Sequence, residues 1–159
     1  MKIMVVHNRY RQPGGEDAVV NEEVALLRVH GHTVLEHLVS NHALDDRRIL
    51  GKVKVGVNAL WNLDTYRKFR TLCRTERPDI VHVHNSFPLL SPAIYHAAAA
   101  EGVPVVQTLH NYRLLCPNAL FYRDGAPCED CLGHLFAWSG VVHGCYRESK
   151  VASATVAAM

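Results

Sequence analysis

The six residues Lys2 to His7, Lys-Ile-Met-Val-Val-His, run apolar without the alternation of a half-exposed strand. Such a run is covered on both faces, the condition of a strand inside a parallel sheet flanked by helices, so it predicts a central strand almost at the start of the chain. The segment after it, Asn8 to Gly15, is polar and ends Pro13-Gly14-Gly15. Glu16 to His30 then leads Ala18, Val19, Glu22 and Glu23 into Val24, Leu27 and Val29 at helical spacing. Glu16 and Asp17 sit where carboxylates suit the helix dipole, and Gly31 stands just past the end. His32 to Val39 reads as a second strand, completing a βαβ unit that the handedness rule makes right-handed.

The pattern weakens from Asn41 to Gly56. Asn58 to Arg77 predicts a helix or a pair of helices with Leu60, Leu63, Tyr66, Phe69 and Leu72 on one face, stopped by Pro78. Asp79 to His84 is short and alternating, the mark of a third strand. Ser91-Pro92 has the N-cap and first-position chemistry of a helix start, and alanine-rich Ala93 to Glu101 follows until Gly102. Val103 to Thr108 is a fourth strand, delivering Leu109, His110 and Asn111 into a loop. Four strands separated by helices predict an open parallel α/β sheet with helices on both faces. Past Asn118 the alternation stops, and residues 116–146 read as an irregular insertion rich in glycine and cysteine. Ser149 to Met159 is helix-like and breaks off on Ala-Ala-Met, as a cut chain would.

At 159 residues the chain has room for one domain. Its 48% apolar and 20% charged residues are the balance of a globular protein, and no apolar run suits a membrane span or signal-peptide core. The expected compartment is the cytoplasm. A formal net charge of +2 makes no case for nucleic acid. Five cysteines in a reducing compartment are read as thiols or metal ligands before disulfides.

Open α/β sheets bind ligands beyond the carboxyl ends of their strands. His110 falls at that edge, followed by Asn111, Tyr112 and Arg113, and His7, His82 and His84 end neighbouring strands. An imidazole there can hydrogen-bond a phosphate or a sugar hydroxyl, take a proton near neutral pH, or merely cap a carbonyl. Gly14 and Gly15 open a helix, where glycine lets backbone N–H groups approach an anion, although a tight turn without a ligand has the same residues. Cys116, Cys128, Cys131 and Cys145 follow the pattern Cys-x11-Cys-x2-Cys-x13-Cys. Four thiols around one Cys-x2-Cys knuckle suit tetrahedral zinc, with reduced or disulfide-linked thiols as the alternative. Cys73 reads as a core residue. The basic group Arg47, Arg48, Lys52 and Lys54, beside Val53, Val55, Val57, Leu60 and Trp61, reads as a solvated face before an anionic membrane surface.

Together these stretches resemble the amino-terminal, acceptor-side domain of a family 4 glycosyltransferase, a retaining enzyme of the GT-B type. The likeness is carried by Met4-Val5-Val6-His7-Asn8-Arg9-Tyr10-Arg11-Gln12-Pro13-Gly14-Gly15-Glu16, by Pro78-Asp79-Ile80-Val81-His82-Val83-His84-Asn85, and by Pro104-Val105-Val106-Gln107-Thr108-Leu109-His110-Asn111-Tyr112. It implies a Rossmann-like sheet and hexosyl transfer from a nucleotide-sugar to a glycan or lipid-linked acceptor, as in polysaccharide biosynthesis. No cofactor is then required for catalysis, and zinc would be structural only. Gly14 and Gly15 would approach the donor, Glu16 would touch the sugar or cap the helix, and His110 would act beside the reacting sugar. His84, Asn85 and Asn111 would contribute substrate contacts; many members have Asp where Asn111 stands. A carboxyl-terminal donor-binding domain with paired glutamates is not in these residues, so the chain alone is expected to be inactive. Peripheral contact with the inner membrane face is a further expectation. Two other readings compete: a zinc-stapled α/β binding module without catalysis, and an oxidoreductase. The second fits less well, since Gly14-Gly15 lacks the dinucleotide spacing and Val39-Ser40 stand where an acidic residue would end the second strand.

Overall fold

The structure, a computed structural model, describes residues 1–12, 14–41 and 49–159, apart from the side chains of Ile49, Leu50, Lys52 and Val53. Arg47, Arg48 and Pro13 therefore lie outside the described residues, as does the Lys52 side chain; Lys54 is exposed. The chain forms two compact units, Met1–His110 and Asn111–Met159.

The first unit runs β1 (Lys2–Arg9), α1 (Gly15–Val29), β2 (Thr33–Ser40), α2 (Ile49–Leu60), α3 (Leu63–Glu76), β3 (Ile80–Asn85), α4 (Ala93–Ala100) and β4 (Val105–Gln107). The four strands are parallel and ordered β2-β1-β3-β4, so the unalternating first strand is internal, as its sequence requires. Period two divides its side chains between two cores. Met4 and Val6, with Val81 and Val83, pack with Phe69 and Cys73 of α3 and with Ile94, Ala97 and Ala98 of α4. Ile3 and Val5 meet Val20 and Val24 of α1, with Ile80 packed beside them. Full burial of each larger apolar side chain contributes roughly 1.5–3 kcal/mol.

The helices depart from the sequence expectation in four places. On α1 the inward row is Asp17, Val20, Val24 and Leu27, whereas Val19 and Val29 are exposed; Val29 lies five residues past Val24 and so turns well away from that row. A whole helix, α2, occupies part of the stretch where the pattern weakens, because Lys52-Val53-Lys54-Val55 alternates like a strand and Gly51 and Gly56 dilute the helical period. The pair of helices then divides at Trp61-Asn62: Asn62 caps α3 by accepting a hydrogen bond from the Thr65 N–H at 3.0 Å, and the buried face is Phe69 and Cys73 rather than Leu60 and Leu63. At α4 the helix begins at Ala93 after Pro92, while Ser91 takes a left-handed φ of 56° and its Oγ accepts from the Ala93 and Asn62 N–H groups.

The second unit holds a two-strand antiparallel hairpin, β5 (Tyr122–Arg123) and β6 (Ala126–Pro127), then α5 (Trp138–Val142) and α6 (Lys150–Ala158). Asp124 and Gly125, both with positive φ, make the hairpin turn. Ser149 caps α6 by accepting from the Ala152 N–H at 3.3 Å.

Candidate active site at the carboxyl edge of the sheet

β1 and β3 are neighbours although β2 follows β1 on its other side, so the strand order reverses between them. Their carboxyl ends, His7-Asn8-Arg9 and His84-Asn85, lie at this switch point, the usual ligand crevice of an open sheet. The pairing also slips there: Val6 faces Val83 but His7 faces Asn85, leaving His84 as an extra residue on β3. Such an irregularity re-aims a side chain.

Ile80, His82 and His84 alternate along β3. From α1, one residue before buried Val24, Glu23 reaches both imidazoles, with Oε1 2.8 Å from His82 Nδ1 and Oε2 3.4 Å from His84 Nε2. His82 Nε2 lies 2.8 Å from Thr108 Oγ1, and His84 Nδ1 lies 3.0 Å from His110 Nε2. The His84 and His110 rings stack with centroids 5.3 Å apart.

The glycine loop joins this cluster through two buried groups. Asp17 Oδ2 accepts the Gly14 N–H at 2.9 Å, and Oδ1 lies 3.2 Å from Nε2 of the fully buried His7. The His7 ring stands edge-on to His84 at 6.3 Å. Asn85 Nδ2 donates to the Asn8 carbonyl at 3.0 Å and reaches Glu16 Oε2 at 3.5 Å, while its Oδ1 accepts the Phe87 N–H. Gly14 and Gly15 are exposed, and a Cβ on either would meet nothing within 4 Å. Gly14 has an extended φ of −131°. The fold demands glycine at neither position through crowding or left-handed backbone.

Burial sets the electrostatics. It pushes the His84 imidazole down to about 4, with His82, His110 and His7 adding to the shift. His7 is also lowered, again first by burial, against the opposing pull of Asp17. Both rings are therefore neutral near pH 7. A carboxylate oxygen accepts, so Glu23 favours N–H on His82 Nδ1, whereas His84 Nε2, 3.4 Å from Oε2, makes no hydrogen bond. One shared N–H joins His84 Nδ1 and His110 Nε2.

Among the residues singled out from sequence, the structure thus links His84 with His110, Asn85 with Glu16, and Gly14 with the cluster through Asp17 and His7. Asn111 begins the second unit, where its Oδ1 accepts the Arg113 N–H at 3.0 Å in an Asx turn. Glu23, Asp17 and Thr108 were not foreseen as members of the cluster. The signal for Asp17 was available: it places a carboxylate on the inward row of an amphipathic helix. Ligand atoms of Glu23, His82 and His84 all lie within 4.8 Å of one another, a spacing that a cation could use. The direct Glu23 to His82 contact satisfies two of these groups without one.

The family profile described as "Glycosyl transferase 4-like domain" matches residues 14–153, which takes in the glycine pair, the β3 histidines, His110 and all four clustered cysteines. An uncharacterized 42.6 kDa protein in a cps region of Klebsiella pneumoniae is 29% identical over 84 residues, covering 53% of this chain and 22% of that protein. The chain thus aligns with less than a quarter of that relative's length. With the open parallel sheet in place and the match spanning most of its residues, this chain belongs to the glycosyl transferase 4-like domain family.

Proposed function

We propose that this chain supplies the acceptor-side half of a retaining GT-B glycosyltransferase cleft, moving a hexose from a nucleotide-sugar to a glycan or lipid-linked acceptor. The observation that carries the reading is the His84–His110 pair at the carboxyl edge, connected through His7 and Asp17 to the Gly14-Gly15 loop. In this reading the open α1 N-terminus faces the donor phosphates and Glu16 and Asn85 meet sugar hydroxyls. The bond from the anomeric carbon to the phosphate oxygen breaks, and the acceptor oxygen forms its bond on the same face. The acceptor proton passes to the departing phosphate.

His110, held through Nε2 by His84, turns its other ring nitrogen to the reacting sugar and stabilises developing charge by hydrogen bonding. Asn111 follows it as a further substrate contact. No catalytic metal or organic cofactor enters this scheme. The other half of the cleft, a donor-binding domain, belongs to a longer protein, consistent with the greater length of the Klebsiella relative. Among the described residues, no helix is long and apolar enough to cross a membrane. Lipid-linked acceptors would instead be met at a membrane surface, where Lys54, Val57, Leu60 and Trp61 form an exposed mixed face on and beside α2.

The test is a transfer assay on the full-length protein with a panel of nucleotide-sugars, reading acceptor-dependent release of nucleoside diphosphate and the anomeric configuration of the product by NMR. Transfer with retained configuration is expected, and no turnover from the isolated 159 residues. An inverted product, or turnover by the isolated chain, contradicts the reading.

A further inference from the structure

In the second unit, Cys116 and Cys131 are buried, and Cys128 and Cys145 are partly so; all four are free thiols. Apart from these, its buried residues are few and mostly small: Pro117, Ala119, Gly140, Gly144, Ser153 and Val156. Leu114, Leu120, Leu132, Leu135 and Trp138 are exposed. A unit of this length with so little apolar core needs another source of stability.

Gly140 gathers three of the four cysteines. A Cβ there would lie 2.6 Å from Cγ of Pro117, so α5 passes tightly over the residue next to Cys116. The Gly140 carbonyl accepts the Cys145 N–H at 2.9 Å, and its N–H points to the Cys131 sulfur. Cys128 follows the β5–β6 hairpin directly, its N–H donating to the Phe121 carbonyl at 2.8 Å. Arg123 hydrogen-bonds Cys145 and is held by Asp130 at 2.7 Å and Ser139 at 3.2 Å.

We infer that Cys116, Cys128, Cys131 and Cys145 form a structural zinc site that staples the second unit. Four sulfurs fill the tetrahedral shell of Zn2+ and leave no open position for substrate. The thiols release their protons to solvent on binding. The Gly140 N–H and the Arg123 guanidinium then serve as outer donors to sulfurs whose negative charge has grown. The quartet is more open than the Glu23–His82–His84 group, whose atoms all lie within 4.8 Å, so metal capture draws the sulfurs inward. The inference does not depend on the proposed transferase activity.

The experiment is elemental analysis of the untagged chain, purified under reducing conditions, followed by X-ray absorption at the zinc edge and by cobalt substitution. About one zinc per chain is expected, with four Zn–S distances near ~2.3 Å and thiolate-to-cobalt charge-transfer bands. Cys128→Ser/Cys131→Ser should lower the metal content at least about tenfold, and chelation should collapse NMR signals of residues 111–159 while those of β1 and β3 persist. His82→Ala should keep the zinc. If the double variant does not fold, the absorption and cobalt spectra of the unaltered chain decide alone. Absence of metal, a mass deficit matching disulfides, nitrogen and oxygen ligands in the absorption spectrum, or loss of zinc from His82→Ala would each overturn the inference.

Discussion

Nδ1 of His84 stands 3.0 Å from Nε2 of His110, joining the end of β3 to the segment that leaves β4. His84 is wholly buried and His110 only partly, so the contact joins a sheltered ring to one that solvent can reach.

His84 should stay neutral through the physiological range and take up a proton only near pH 4. Its folded-state pKa lies below the ordinary value of 6.5, so the unfolded chain binds the proton first as pH falls. Above about pH 6.5 this costs the fold nothing. Between there and about 4 it removes stability, up to about 3 kcal/mol in all. Denaturant unfolding at pH 7.5 and pH 5 should show a smaller loss in His84→Gln than in the unaltered chain; equal losses would refute the assignment.

Glu23→Ala removes one of the two partners of the partly buried His82 and should destabilise the first unit by about 1.5–3 kcal/mol. Glu23→Gln should keep most of that stability, because its amide oxygen can still accept from His82 Nδ1. Nitrogen-15 NMR of the imidazoles reads the tautomer directly, and an unchanged His82 tautomer in Glu23→Ala would show that Glu23 does not set it.

Gly15→Ala separates a ligand role from a structural one. With nothing within 4 Å of the added methyl, the fold should keep its stability to within about 0.5 kcal/mol or gain slightly from helix propensity. In the full-length protein, donor KM should rise or kcat should fall at least about tenfold. Unaltered kinetics would mean that the loop is only a turn.

Gly140→Ala has the opposite logic. Its methyl would fall 2.6 Å from the Pro117 side chain, an overpacking that costs roughly 1–3 kcal/mol. Hydrogen exchange should quicken in residues 111–159 and stay as before in β1 and β3. Unchanged exchange throughout would show that the contact is readily relieved.

Much of the fold was legible because it rests on local patterns. The unalternating Lys2 to His7 put β1 inside the sheet, and glycines 31 and 102 closed the helices before β2 and β4. α2 was hidden because its lysine and valine residues alternate with the period of a strand while the chain coils. The candidate site was legible only in part. His84, His110 and the glycine pair follow from their places at strand ends, which depend on the order of elements. Glu23 and Thr108 depend on how α1 lies over β3 and how β4 pairs with it, facts of tertiary packing that no short window of sequence contains.

The most direct test of the central claim is the transfer rate of the full-length protein carrying His110→Ala. If His110 stabilises charge as the sugar moves, kcat should fall by roughly 10²–10³, with donor KM changed little and thermal stability retained. A kcat within about threefold of the unaltered protein would contradict the account and leave the histidine cluster a structural feature of the sheet edge.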